Sequence, residues 1–151
     1  MNIKDYLSSR SKTDAEKRRE EEERQSLIDT ALKNIDDNTA IRVSKLFPDF
    51  EPGIHAQGDI YNAAGQTWEC YADFDNAEHP DIIPENDAWR TFNRPLHGVT
   101  PETARPYAAP TGSHDMYKIG EYMIHTDGKT YKCIMDAAYS PEEFGSAWEV
   151  V

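Results

Sequence analysis

The stretch "KIGEYMIHTDGKTYKCIMDAAYSPEEFGSAWEV", residues 118–150, decides the fold. Asp127-Gly128 sits between two alternating runs, "EYMIH" and "KTYKCIM", which is the sequence signal of a β-hairpin. In the second run Tyr131, Cys133 and Met135 fall on one face, and Thr130, Lys132 and Ile134 on the other. "SAWEVV" then supplies a third strand.

Upstream, residues 56–92, "AQGDIYNAAGQTWECYADFDNAEHPDIIPENDAWRTF", repeat the same frame more loosely. Gly58-Asp59 matches Gly120-Glu121, each opening a strand. Gly65 is followed by Trp68 and Cys70, as Gly128 is by Tyr131 and Cys133. Each copy closes on a tryptophan, Trp89 or Trp148, which predicts a third, Trp-bearing strand in both. The copies differ in length in the loop before that tryptophan, where insertions are tolerated. "NRPLHGVTPETARPYAAPTGSHD" joins the copies. Its Pro95, Pro101, Pro106 and Pro110 predict an extended linker, neither helix nor central strand.

A three-stranded sheet of this size is close to the lower limit for an independent core. Trp89 and Trp148 are therefore expected to pin two separate small cores. Cys70 and Cys133 hold matching places in those cores, so they should be buried, reduced and far from each other. Neither has a neighbouring Cys or a well-spaced His, and no metal or other cofactor is expected.

The N-terminal third reads as helix. "TDAEKRREEEERQSLIDTALKNI" lacks Pro and Gly, and Thr13 with Glu16 forms a capping-box signature. Leu27, Ile28, Ala31, Leu32 and Ile35 make an apolar stripe confined to the last turns. Such a stripe requires a partner, which suggests self-association. "NTAIRVSKLF" is expected to add a short helix with Val43, Leu46 and Phe47 on its inner side, ended by Pro48. Ile3, Tyr6 and Leu7 share a face and suggest a docking tip. The expected architecture is α+β by segments: a helical assembly segment at 1–48, a first three-stranded antiparallel module at 49–93, a linker at 94–115 and a second module at 116–151.

Charge narrows the partners. Residues 1–48 balance 10 Lys/Arg against 10 Asp/Glu, whereas residues 49–151 hold 6 against 18, the whole net charge of −12. A polyanion would be repelled, so nucleic acid and anionic membrane surfaces are not expected ligands. The chain has no apolar run long enough to span a bilayer, and no signal-peptide core is read at its start. Synthesis in a cytoplasm without export by a cleaved signal is expected.

The frame of Gly-acid, hairpin, "GKTYKC", aromatic-Ser-Pro loop and closing Trp-Glu resembles the chitin-binding type 3 modules of carbohydrate-binding families five and twelve. The whole arrangement, with Leu46-Phe47-Pro48 and "APTGSHDMYKIGEY" at 109–122, resembles small tail or baseplate-associated proteins of tailed bacteriophages. That resemblance implies a virion location, contacts with other tail proteins, a homo-oligomer (a trimer by analogy with tail fibres) and binding of host surface polysaccharide. It implies a site on the loop between the second and third strands of the second module, with Tyr139 and Tyr117 as stacking rings and Asp136 and Glu142 as hydroxyl partners. The first module's loop, with Phe74 and His79 but no Trp, departs from the family pattern.

Catalysis is not expected. Glu142-Glu143 are adjacent on one loop and lack the opposed geometry, roughly 5–9.5 Å apart, of a glycosidase pair. No nucleophile–histidine context or phosphate-binding glycine loop is present. Two readings stay open: a virion protein that contacts glycan, and a purely architectural adaptor or decoration protein that binds no sugar.

Overall fold

The structure is a computed structural model that describes residue 3, residues 12–33 and residues 35–151. Tyr6 and Leu7, and with them the docking-tip reading, lie outside the described residues. The chain divides into two compact units, 1–35 and 36–151.

The first unit contains α1, Asp14–Leu32. Thr13 caps it as expected: its side chain accepts from Glu16 N, and the Glu16 carboxylate accepts from Thr13 N. No residue of α1 is buried, and Leu27 is 73% exposed.

The second unit begins earlier than the sequence suggested. Asp36 caps a short helix α2, Asp37–Arg42, through a 2.8 Å bond from Thr39 N. Its inner face carries Ala40 and Ile41, not Val43, Leu46 and Phe47 as expected, and Leu46 is 54% exposed. The helix is too short for the longer stripe, because a 3-10 turn at Ser44–Leu46 rotates the chain before Pro48. Asp37 takes two bonds of 2.8 Å from Arg94, which also donates to Glu69 at 3.1 Å. Asn38 accepts from Val99 N and from the Thr103 hydroxyl. Residues 36–48 thus belong to the β unit and correct the expected boundary at 48/49.

The first module contains β1 (Ile54–His55), β2 (Ile60–Ala63), β3 (Gln66–Cys70), β4 (Phe74–Asp75), α3 (Trp89–Phe92) and β5 (Asn93–Pro95). The sheet order is β2-β3-β5, all antiparallel, with β1 paired to β4 beside it. Ala64 and Gly65 form the two-residue β2–β3 turn, both with positive φ (51° and 76°), as a right-twisted hairpin requires. The second module contains β6 (Arg105–Pro106), β7 (Tyr122–Ile124), β8 (Thr130–Cys133) and β9 (Trp148–Val150). β7, β8 and β9 are antiparallel, and β6 adds a parallel edge.

The duplication is written into the backbone. Gly58 N donates to Cys70 O at 2.9 Å, and Gly120 N to Cys133 O at 2.8 Å. Cys70 N donates to Asp59 O and Cys133 N to Glu121 O, at 2.7 and 2.8 Å. Each thiol reaches the carbonyl two residues on, at 3.1 Å. His55 pairs with Phe74 as Tyr117 pairs with Ala137. The cores are separate. One gathers Tyr61, Trp68, Cys70, Phe74, Ile82 and Trp89, and the other Tyr117, Met123, Cys133, Ala137, Ala147 and Trp148. Both cysteines are fully buried and free.

Two expectations are corrected. Trp89 is not on a strand: it starts α3, and the third strand of the first module follows it. By register, the partner of Cys70 is Asn93, while that of Cys133 is Trp148. The indole of Trp89 reaches its core from the helix and meets Trp68 edge-on at 5.6 Å. The second correction concerns 94–115. It is extended, but it is no free linker: β5 edges the first sheet, and β6 edges the second. Proline is tolerated in both because each is an edge strand. Leu96 N donates to Thr67 O, Tyr122 N to Gly98 O, and Gln66 Nε2 to Pro106 O. The segment cements the modules together.

Candidate functional site

The loop from Asp136 to Ala147 joins β8 to β9, and Trp148 holds it in place. Trp148 Nε1 donates to Tyr139 O at 3.0 Å, while the indole packs edge-on against Tyr117 at 5.2 Å. Ser140, buried, accepts backbone bonds from Glu143 N and Phe144 N at 3.1 and 2.8 Å, closing a tight turn around Pro141. The backbone beneath Tyr139 is therefore fixed, yet its ring faces outward and is 57% exposed. Ile134, Met135 and Phe144 are also exposed.

Glu142 lies on the same turn. Its Oε1 accepts from His125 Nε2 at 2.6 Å, and this bond holds the Glu142 carboxyl below the usual carboxylate range. His125 is itself buried between the rings of Tyr107 and Tyr131. Its Nδ1 is buried without a hydrogen-bond partner among the described residues. The carboxylate of Glu142 is exposed, with one oxygen bound to the imidazole.

The other two expected residues serve the fold. Tyr117 is buried, stacked on His97 at 3.8 Å and 7°, and accepts from Ala108 N at 3.1 Å. Burial pushes its phenol well above the ordinary value. A ring closed in this way offers no stacking face, so Tyr117 is corrected from binding platform to core. Asp136 Oδ1 accepts from Ile119 N at 2.9 Å, the same bond that Asp73 makes with Gln57 N at 2.7 Å. It clamps the repeat's opening turn, and its remaining oxygen stays near Lys118 Nζ at 3.9 Å.

In the first module the residue that corresponds to Tyr139 is Asn76. It is buried and donates to Ile82 O at 2.7 Å, which draws the longer loop of this module, residues 77–88, over the Trp89 core. An outward ring has no place there. His125, unnoticed in the sequence, sits at the end of β7, where strand alternation alone points it inward.

No protein-family model matches the chain, and no curated protein matches it. Among the described residues, no helix is long and apolar enough to cross a membrane.

Proposed function

We propose that the chain is a non-enzymatic bacteriophage virion protein of the tail, baseplate or fibre, whose second module contacts host cell-surface glycan. The observation that carries this reading is Tyr139: a large ring, exposed, on a backbone immobilised by Trp148, with the carboxylate of Glu142 on the same turn. A pyranose presents a C–H face that stacks on a flat aromatic ring and hydroxyls that seek a fixed acceptor. The unburied stripe of α1 supports assembly with other copies or with tail proteins.

A second reading, an architectural adaptor or decoration protein that binds no sugar, is favoured by one observation. The first module replaces the outward tyrosine with a buried asparagine, so only one of the two modules keeps an exposed ring at this position.

Sedimentation with chitin and with purified bacterial cell walls separates the two. Retention of the wild type, lost in Tyr139→Ala while the circular dichroism spectrum and Tm are unchanged, supports the glycan reading. Failure of the wild type to bind any wall supports the adaptor.

A further inference from the structure

From the groove where the two modules meet, we propose a second carbohydrate site, built around Tyr71 and selective for a neutral pyranose. The inference rests on the glycan reading above but uses different residues. The groove encloses about 470 Å³, within the roughly 300–1,000 Å³ range of small-ligand sites. Tyr71, Asp87, Arg90 and Thr91 come from the first module, and Thr111 and His114 from the segment leading into the second.

Its walls are rigid. Arg90 Nη2 donates to Asp115 Oδ2 and to Ala109 O, both at 2.8 Å, and His114 Nε2 donates to Arg90 O at 2.8 Å. The Tyr71 backbone is anchored by a 2.6 Å bond from its N–H to Phe92 O. Its ring lies 4.7 Å from His114, tilted by 33°, and is 46% exposed. Its hydroxyl has no partner among the described residues.

The lining selects the ligand class. Arg90 is already neutralised by Asp115, and Asp87 is exposed with its carboxylate in no hydrogen bond or ion pair among the described residues. An anion would meet that free carboxylate and a chain of net charge −12. A purely apolar ligand would leave Asp87 and Thr91 without water or partner. An uncharged ring with one C–H face and several hydroxyls satisfies both the tyrosine and the acceptors. By repeat position the counterpart of Tyr71 is Ile134, and Asp87 lies in the first module's loop, which is longer than that of the second. The site therefore arises from the fusion of the modules and not from either one alone.

The test is chemical-shift mapping on the full 15N-labelled chain, titrated with chitotetraose and separately with muramidase-released cell-wall fragments. Shifts at Tyr71, Thr91 and Thr111 are expected with the uncharged chitotetraose, and shifts there with the acidic wall fragments alone would overturn the selectivity for a neutral ring. Tyr71→Ala should weaken that binding roughly tenfold, equivalent to loss of one stacked ring, and Tyr71→Phe should preserve most of it. Asp87→Asn, a surface change outside the fold's bonds, should also weaken it and guards against misfolding of the alanine variant. Shifts confined to residues 139–144 would overturn the junction site while leaving the Tyr139 reading intact. Absence of shifts anywhere with either probe would overturn both.

Discussion

Asp73 and Asp136, 63 residues apart, make one and the same bond: each carboxylate accepts the N–H of the residue just before the repeat's first glycine, Gln57 or Ile119. A side chain that looks like ligand chemistry in one module is thus a turn clamp in both. The glycan reading of the second module then narrows to the ring of Tyr139 and the carboxylate of Glu142.

The buried Asp115 carboxylate, held mainly by Thr111 and Gly112 and also by Arg90, should contribute to the acid stability of the β unit. Burial alone would raise the Asp115 carboxyl, but bonds from the Thr111 hydroxyl, the Gly112 and Thr111 N–H groups and Arg90 hold it below 3.8, its ordinary value. A lowered carboxyl stabilises the fold fully above its unfolded value, and that contribution fades as pH falls through the folded value. Urea midpoints should therefore drop below about pH 4 in the wild type, and Asp115→Asn should flatten that limb. At pH 7, Arg90→Ala should cost about 3 kcal/mol, because it strands a buried carboxylate.

Ala64 occupies a left-handed position, φ 51°, that alanine disfavours. Ala64→Asn creates an Asn-Gly turn and should stabilise the chain by about 0.5–1 kcal/mol in thermal or urea unfolding. A loss of stability would mean that the β2–β3 connection is not the turn described.

Two glycines should respond in opposite ways. A Cβ on Gly98 would overlap the carbonyl oxygen and hydroxyl of Thr103, whereas one on Gly145 would meet nothing within 4 Å. Gly98→Ala should lose about 3 kcal/mol or fail to fold, and Gly145→Ala should stay within about 0.5 kcal/mol of wild type. Equal responses would refute the close approach of 98 to the Pro101–Thr103 turn.

Neither cysteine should react in the native protein. Burial pushes the Cys70 thiol up to about 11 and raises that of Cys133 as well. Iodoacetamide at pH 8 should add nothing measurable to the folded chain and two groups in denaturant, read by intact mass. Rapid native labelling at either site would contradict the closed cores.

Much of this fold was legible because turn chemistry is local. Gly58, Gly65, Gly120 and Gly128 all have positive φ, and each marks in the sequence the turn it makes in space. The thiols and indoles identified the cores for the same reason, being the bulkiest or most apolar groups within short modules. Trp89 misled because a tryptophan can enter a core from a helix as readily as from a strand, and spacing does not distinguish the two. Tyr117 misled because the ring that covers it, His97, comes from a proline-rich stretch that reads as linker. The boundary at 48 failed similarly. Asp37 and Asn38 find their partners at Arg94, Val99 and Thr103, tens of residues away, and no local pattern encodes such pairings.

Those pairings set where the chain can be cut. Residues 36–151 alone should unfold with the midpoint of the same unit in the full chain. Residues 49–151, lacking the Asp37–Arg94 pair and the Asn38 bonds, should be about 2 kcal/mol or more less stable. Equal stability of the two fragments would show that α2 is dispensable. Analytical ultracentrifugation of the 36–151 fragment against the full chain tests whether α1 drives self-association.

The stretch from Asn93 to Pro106 lends an edge to each sheet in turn, so the pair cannot be traded between proteins as interchangeable cassettes. Recombination between Val99 and Ala104 would leave β5 and β6 with their own sheets but would part Gly98 from Tyr122 and Gln66 from Pro106, the bonds that join the modules. Crossovers between Ile35 and Asp36 escape that penalty, which channels evolutionary novelty toward α1 and leaves the twin sheets to be inherited as a block.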